Sequence, residues 1–353
     1  MTKVYGIFDN DMDGYGNNII VNLMCVEYKI INVEHPEKVY EALLEMKDEL
    51  LKHKREHNVF LFINDLALGS NPKVFDILDE LKDIKIVIND HHEPNDNLIE
   101  YYKKKFPTTS LGLTNPKDRL VSLTDKIEYG VNINVQKGSP KLTSATEIFY
   151  NFATTYGLLK IFETSVLDKL KDIVNLIMLF DTFRCMTEDY TSPYFKTDPL
   201  TFNKISDLID KELWIGKLIK FITTKTITND TDTDMNLVDL AKEAMKIDQI
   251  EYKKCYDSMV EIKFDGYTAG LTFYSKRAGI LGDYIRNKIK EENKDHIDLI
   301  MVANYPSFGI YSVKENINLS EVARKHGGGG HPKAAGFPTK DYKEFVEILS
   351  GER

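Results

Sequence analysis

Three apolar runs early in the chain each stop at an aspartate: residues 4–8 at Asp9, residues 59–63 at Asn64-Asp65, and residues 85–88 at Asn89-Asp90. A further apolar run covers 29–33. Stretches with helical spacing lie between them, over 15–25, 37–53 and 74–81, the second placing Leu43, Leu44, Leu50 and Leu51 on one face. Strands alternating with helices predict βαβ units and therefore a parallel sheet. In such sheets the ligand crevice lies beyond the carboxyl ends of the strands. One aspartate at a strand end is an ordinary loop residue. Three in succession are harder to dismiss.

The pattern then changes. Residues 143–184 read as helical, with Ser144-Ala145-Thr146-Glu147 as a capping box opening one helix. The apolar run 173–180 ends at Asp181. Residues 190–255 are polar, with a break around 223–234, and read as a helical connector. Strands return over 267–274, 299–303 and 309–313, with helices over 279–291 and 319–325. The expected class is α/β: a mostly parallel sheet flanked by helices over 1–190, a helical connector over 191–255, and a smaller α/β domain over 256–353. A chain of 353 residues is long enough for two cores.

Charge narrows the class of partner. The net charge of -9 is the wrong sign for gripping long duplex DNA, which needs an array of basic groups, but it leaves short nucleotides open. Cys25, Cys185 and Cys255 are scattered without CxxC spacing, which supports neither a zinc site nor a disulfide framework. The N-terminal stretch lacks the apolar run of a signal peptide or membrane span. A reduced, cytoplasmic setting without membrane association is expected.

Asp9-Asn10-Asp11-Met12-Asp13-Gly14-Tyr15-Gly16 puts carboxylates at alternate positions after a strand, where they can face one cation. Gly14 and Gly16 are read as allowing a sharp turn and a close approach to a ligand. A calcium loop would need a glutamate at its twelfth position, and Ile20 stands there. A solvated acidic turn is the plain alternative. Asp65 and Asp181 would each, alone, be read as a helix cap or buried ion-pair partner. The adjacent histidines of Asp90-His91-His92 cannot both enter the core, because side chains alternate along a strand. One can ligate a metal while the other meets substrate; two surface histidines are the alternative. Finally, His326-Gly327-Gly328-Gly329-Gly330-His331-Pro332-Lys333 follows a helix, and its backbone could wrap a phosphate or base. A flexible linker is the competing reading.

As an ordered set, Asp9-x-Asp11-x-Asp13-Gly14, Asp65, Asp90-His91-His92, Asp181-Thr182 and the terminal glycine run resemble the DHH phosphoesterase superfamily with its DHH-associated C-terminal domain. The likeness spans nearly the whole chain. Asp13-Gly14-Tyr15-Gly16, Thr143-Ser144-Ala145-Thr146 and Asp181-Thr182-Phe183 bring it nearest the oligoribonuclease (nanoRNase B-like) branch. That branch usually has His where this chain has Asp9, and RecJ-type exonucleases have Asp; either residue suits a hard cation.

The resemblance implies a fold, a cofactor and roles. Two Mn²⁺ ions are expected, with Mg²⁺ or Co²⁺ able to substitute. Asp9, Asp11 and Asp65 would hold one, and Asp13, Asp65, His91 and Asp181 the other, with Asp65 shared. His92 would contact the scissile phosphate and Asp90 would orient a histidine. Gly328, Gly329, Gly330 and His331 would hold the nucleotide end of a substrate, with Arg277 and Arg324 as further phosphate contacts. The implied activity is hydrolysis of short oligonucleotides to nucleoside monophosphates, extending to 3'-phosphoadenosine 5'-phosphate and to linear or cyclic dinucleotides. A homodimer is compatible with this. The alternatives are a RecJ-like single-strand DNA exonuclease, which Asp9 supports but the acidic balance and the missing OB-type module oppose, since long strands need basic grooves with stacking aromatics, and a nucleotide sensor without turnover.

Overall fold

The structure is a computed structural model. It describes the chain outside residues 1, 25, 55–57, 69–70, 93–95, 106–129, 136–142, 160–161, 225–230, 277, 331 and 352–353, and gives no side-chain account of 102, 105, 130–135 or 231–236. Two compact units divide it, Met1–Lys242 and Glu243–Arg353.

The first unit opens with β1 (Thr2–Asp9), α1 (Met12–Leu23), β2 (Glu27–Val33), α2 (Val39–His53), β3 (Asn58–Asn64), α3 (Lys73–Glu80), β4 (Lys85–Asp90), α4 (Asp96–Lys105) and β5 (Gly130–Val135). The strands form one five-stranded sheet in the order β2-β1-β3-β4-β5, with every neighbouring pair parallel. All carboxyl ends therefore share one edge. The β5 strand was not anticipated, whereas the predicted parallel α/β sheet is present.

Alternation along the strands feeds two cores. Phe8, Phe60, Phe62 and Val87 face one side, where they meet residues of α1, α5 (Ala145–Thr155), α6 (Thr164–Asp181), α7 (Pro199–Leu208) and α8 (Lys211–Thr223). Ile7, Leu61, Ile63, Ile86 and Ile88 face the other, against α2, α3 and α4. Within the stretch expected to be a connector, Phe202, Trp214 and Leu218 of α7 and α8 join the first of these cores. The helix α9 (Thr231–Asp257) follows.

Helix α1 begins earlier than its spacing predicts. The helix starts at Met12, not Tyr15, so Asp13, Gly14 and Gly16 are helical. The two glycines do not make a turn. A side chain at Gly14 would strike the Asp9 carbonyl, and one at Gly16 would strike Thr146 and come within 2.8 Å of Ile177. They let the helix start lie against the strand end and against α5.

The second unit holds β6 (Val260–Phe264), β7 (Tyr267–Phe273), α10 (Gly279–Glu291), β8 (Leu299–Asn304), β9 (Ser307–Ser312), α11 (Leu319–Lys325), β10 (Gly329–Gly330), β11 (Ala334–Pro338) and α12 (Tyr342–Leu349). Its six-stranded sheet runs β10-β11-β9-β8-β7-β6 and is antiparallel except between β7 and β8. Apolar clusters around Leu271, Met301 and Phe308, and around Ile285, Ile300 and Val302, give it cores of its own. No described helix is long and apolar enough to cross a membrane.

Candidate active site

The carboxyl edge of the parallel sheet gathers the acids. Asp9 closes β1, and Asp11 is the N-cap of α1, its carboxylate accepting from the amides of Asp13 (3.0 Å) and Gly14 (3.1 Å). An acid is favoured there because the first amides of a helix lack intrahelical partners. Asp13, in the first turn, is buried. Its two carboxylate oxygens accept from Ala145 N (2.7 Å) and Thr146 N (2.8 Å) at the start of α5. Ser144 caps α5 by accepting from Glu147 N, as its sequence predicts.

Asp65 follows β3 with φ at 62°, a left-handed conformation that costs an ordinary side chain energy and is easier for Asp or Asn. That backbone bend is fixed by Asp65 N donating to Asn89 O at 2.9 Å. Asp65 Oδ1 lies 3.0 Å from His91 Nε2, and Asp13 Oδ2 lies 3.8 Å from the same nitrogen. On the other side of the ring, His91 Nδ1 is 3.1 Å from Thr143 O. A carbonyl only accepts, so Nδ1 carries the proton and the Nε2 lone pair faces Asp65 and Asp13. Asp181, the last residue of α6, approaches the Nδ1 side at 3.3 Å.

Asp90 ends β4 and orients His92. Its Oδ1 accepts from His92 N at 3.1 Å and from His92 Nδ1 at 2.7 Å. Burial works to raise the Asp90 carboxyl, but the charges of His92 and His91 and the His92 bonds outweigh it and hold it below the usual range. The two imidazoles stand edge to face, with centroids 4.5 Å apart. His91 is buried, while His92 keeps 27% of its side chain exposed and can meet a substrate.

Three overlapping donor sets result: Asp9, Asp11 and Asp65; Asp13, His91 and Asp181; and Asp65, Asp90, His91 and His92. Within each, one ligand atom per residue lies within 4.8 Å of the others. Burial, then the charges of Asp13, Asp11, Asp181 and Asp9, raise the Asp65 carboxyl well above its usual range. Burial, then Asp181 and Asp11, push Asp13 up to about 7, against the opposing Thr146 bonds. No lysine or arginine among the described residues pairs with either acid. Buried carboxylates that repel one another, with an imidazole nitrogen aimed among them, fit a divalent cation of the Mg²⁺ or Mn²⁺ type.

The expected substrate contacts lie in the second unit. Gly327 N and Gly328 N are already donors, to Arg324 O and Ala323 O at the end of α11. Gly329 and Gly330 form β10, pair with Gly336 and Ala335, and are exposed. Gly328 has the closest backbone constraint: a side chain there would strike Gly336 O. The Arg324 guanidinium donates to Ser320 O (3.3 Å) and Ser320 Oγ (3.2 Å). Arg277 and His331 lie outside the described residues.

Sequence reasoning missed several supporting residues. Asn17, Asn64 and Asn89 are buried beneath the acids, and Asn32 Nδ2 donates to the Asp9 carbonyl at 2.9 Å. Lys211, in the supposed connector, places its ammonium 3.2 Å from Asn10 Oδ1 and over the Tyr15 ring. The asparagines were legible only as polar residues interrupting otherwise apolar strand ends.

No family model matches the chain. It is similar to the oligoribonuclease NrnB of Bacillus subtilis (strain 168), 25% identical over 346 residues, which cover 96% of this chain and 73% of that protein. Among solved structures it resembles the DHH domain of a protein assigned to a family of ribosomal proteins, with TM-score 0.59 and 15% identity over 99% of this chain and 86% of that one. It also resembles RecJ in complex with Mn²⁺ from Thermus thermophilus, with TM-score 0.54 and 10% identity over 99% of this chain and 51% of that one. These likenesses show a chain similar to an oligoribonuclease along most of its length and a fold shared with DHH-domain proteins. Asp90-His91-His92 is surrounded by acids from β1, the start of α1, the residue after β3 and the end of α6.

Proposed function

We propose that this protein is a DHH phosphoesterase, a divalent-cation-dependent phosphodiesterase that hydrolyses short oligonucleotides or dinucleotides to nucleoside monophosphates. One observation carries the reading: the donor sets of Asp9, Asp11 and Asp65 and of Asp13, His91 and Asp181 meet at one sheet edge, with Asp65 Oδ1 3.0 Å from His91 Nε2. Two Mn²⁺ ions are the preferred occupants, held by Asp9, Asp11 and Asp65 on one side and by Asp13, Asp65, His91 and Asp181 on the other. Bound there, such ions would acidify a water and offset charge developing on the phosphoryl oxygens.

The protein's own groups supply the rest. The Thr143 carbonyl keeps the His91 proton on Nδ1 and so keeps Nε2 available as a ligand. Asp90 fixes the His92 ring through Nδ1, so that Nε2, once protonated, directs an N–H toward a phosphoryl or leaving oxygen. The likeness to an oligoribonuclease over most of the chain supports short substrates, as does the net charge of -9. The glycines at 328–330 and Arg324 are proposed contacts for the nucleotide end. Three scattered cysteines suit a reduced, cytoplasmic setting.

The test is hydrolysis with Mn²⁺ across oligonucleotides of increasing length, cyclic dinucleotides and 3'-phosphoadenosine 5'-phosphate. Turnover is expected to be fastest on the shortest chains. Rapid degradation of long single-stranded DNA with none of di- to pentanucleotides would overturn the substrate assignment in favour of the RecJ-like activity. Asp65→Asn keeps a residue that tolerates the φ of 62°. It is expected to fold and to lose more than about 100-fold in turnover, the loss expected when a metal ligand rather than its support is removed.

A further inference from the structure

Beneath the site runs a line of buried amides that the proposed chemistry does not use. Asn89 Nδ2 donates to Asn64 Oδ1 at 2.8 Å, Asn64 Nδ2 donates to Asn17 Oδ1 at 3.1 Å, and Asn17 Nδ2 donates to the Asp13 carbonyl at 3.0 Å. All three side chains are fully buried. Their order along the fold is regular. Asn64 and Asn89 occupy one register rung of β3 and β4, immediately before Asp65 and Asp90. Asn17 sits one turn beyond Asp13 in α1.

The direction of the line follows from its end. The Asp13 carbonyl only accepts, so Asn17 must present Nδ2 to it and Oδ1 to Asn64. Asn64 must then donate with Nδ2, leaving Oδ1 for Asn89. No amide can flip without breaking a buried hydrogen bond, at a cost of roughly 1–3 kcal/mol. A second line is built the same way: Asn18 Nδ2 donates to Asn32 Oδ1 at 3.1 Å, and Asn32 Nδ2 donates to the Asp9 carbonyl at 2.9 Å. Both lines end on the main-chain carbonyl of a site aspartate.

These positions would otherwise suit apolar residues. Asn64 and Asn89 lie on the same sheet face as Phe60, Phe62 and Val87, and asparagine is a poor strand former. An amide there gives up apolar burial. What it supplies is a tie without charge. Ligand atoms of Asp9, Asp11 and Asp65 lie within 4.8 Å of one another, as do those of Asp13 and Asp181, and like charges that close tend to part the ends of β1, β3 and α1. A lysine or arginine tie would also restrain them, but would cancel the negative potential that a cation needs. An amide restrains them and leaves the potential intact.

We propose that Asn17, Asn64 and Asn89 are positioning residues that fix the spacing of Asp13, Asp65 and the Asp90-His91 strand end before a cation arrives, and so set metal affinity. The inference rests on the divalent-cation reading of the site. Its test is Mn²⁺ alone, titrated by calorimetry into the metal-free full chain, with circular dichroism to verify folding. Asn64→Leu keeps the approximate volume and removes both bonds. It is expected to weaken Mn²⁺ binding by about 10–100-fold, the range typical of outer supports of metal ligands. Asn89→Ser at the end of the line shortens the donor, and serves if Asn64→Leu does not fold; it is expected to weaken binding in the same direction by a smaller factor. Folded variants that bind Mn²⁺ within twofold of the wild type would overturn the relay alone. A wild-type chain that binds no Mn²⁺ would overturn the metal reading itself, and the relay with it.

Discussion

Asp13 has both carboxylate oxygens bonded to backbone amides, yet its carboxyl is pushed up to about 7 by burial and then by Asp181 and Asp11. The ordinary aspartate value is roughly 4. A raised folded-state value means that the native chain holds its proton more tightly than the unfolded chain does. The associated stability is complete below about pH 4 and fades as pH rises through about 7. Asp65 shifts the same way. The melting temperature of the metal-free protein is therefore expected to fall between about pH 5 and pH 8. Cation binding competes with these protons, so the stabilisation by Mn²⁺ should grow over the same interval. Calorimetric scans with and without Mn²⁺ check this; a flat metal-free profile would contradict the repulsion inferred at the site. At this scale Asp9, Asp65 and Asp90 were legible as acids at strand ends, whereas the roles expected of His91, His92 and Asp181 came only from the resemblance of the ordered motifs. The amides supporting these residues were not legible, since Asn17 and Asn89 are far apart in sequence and meet only through Asn64.

Helix α1 joins the acid motif to the rest of the unit. Its first turn carries Asp13, and its glycines admit the Asp9 carbonyl and Thr146 where a side chain would stand. Gly16→Ala is expected to destabilise by about 1–3 kcal/mol, the usual cost of overpacking, and to lower activity by moving Asp13 from Ala145 and Thr146. Gly216→Ala in α8 is the control. Nothing lies within 4 Å of a side chain there, so removing a mid-helix glycine should stabilise by about 0.5–1 kcal/mol. Chemical denaturation of the two variants would show shifts of opposite sign; a matching sign would remove the steric account. The sequence placed the elements of this region well but started α1 too late. Asp-Gly and Gly-Tyr-Gly look like turn chemistry locally, and only contact with β1 and α5 explains glycine inside a helix.

At the scale of the molecule, each unit has apolar cores of its own. The fragment 243–353 is accordingly expected to fold in isolation, with a cooperative thermal transition and dispersed amide resonances. Collapsed, poorly dispersed spectra would show that its cores are insufficient. The sequence by itself determined the class of the fold and the identity of the acidic edge. Apolar runs of period two and amphipathic runs of period 3.6 are local signals, and Asp9, Asp65 and Asp90 follow directly from where those runs stop. Tertiary structure decided what periodicity does not encode: that α7 and α8 join the core of the first unit, that Gly327 and Gly328 spend their amides on the end of α11, and that Asn89, Asn64 and Asn17 line up beneath the acids. The physical reason is the same in each case. Burial and hydrogen bonding between residues distant in sequence depend on the register of strands and the approach of helices, which exist only once the chain has folded.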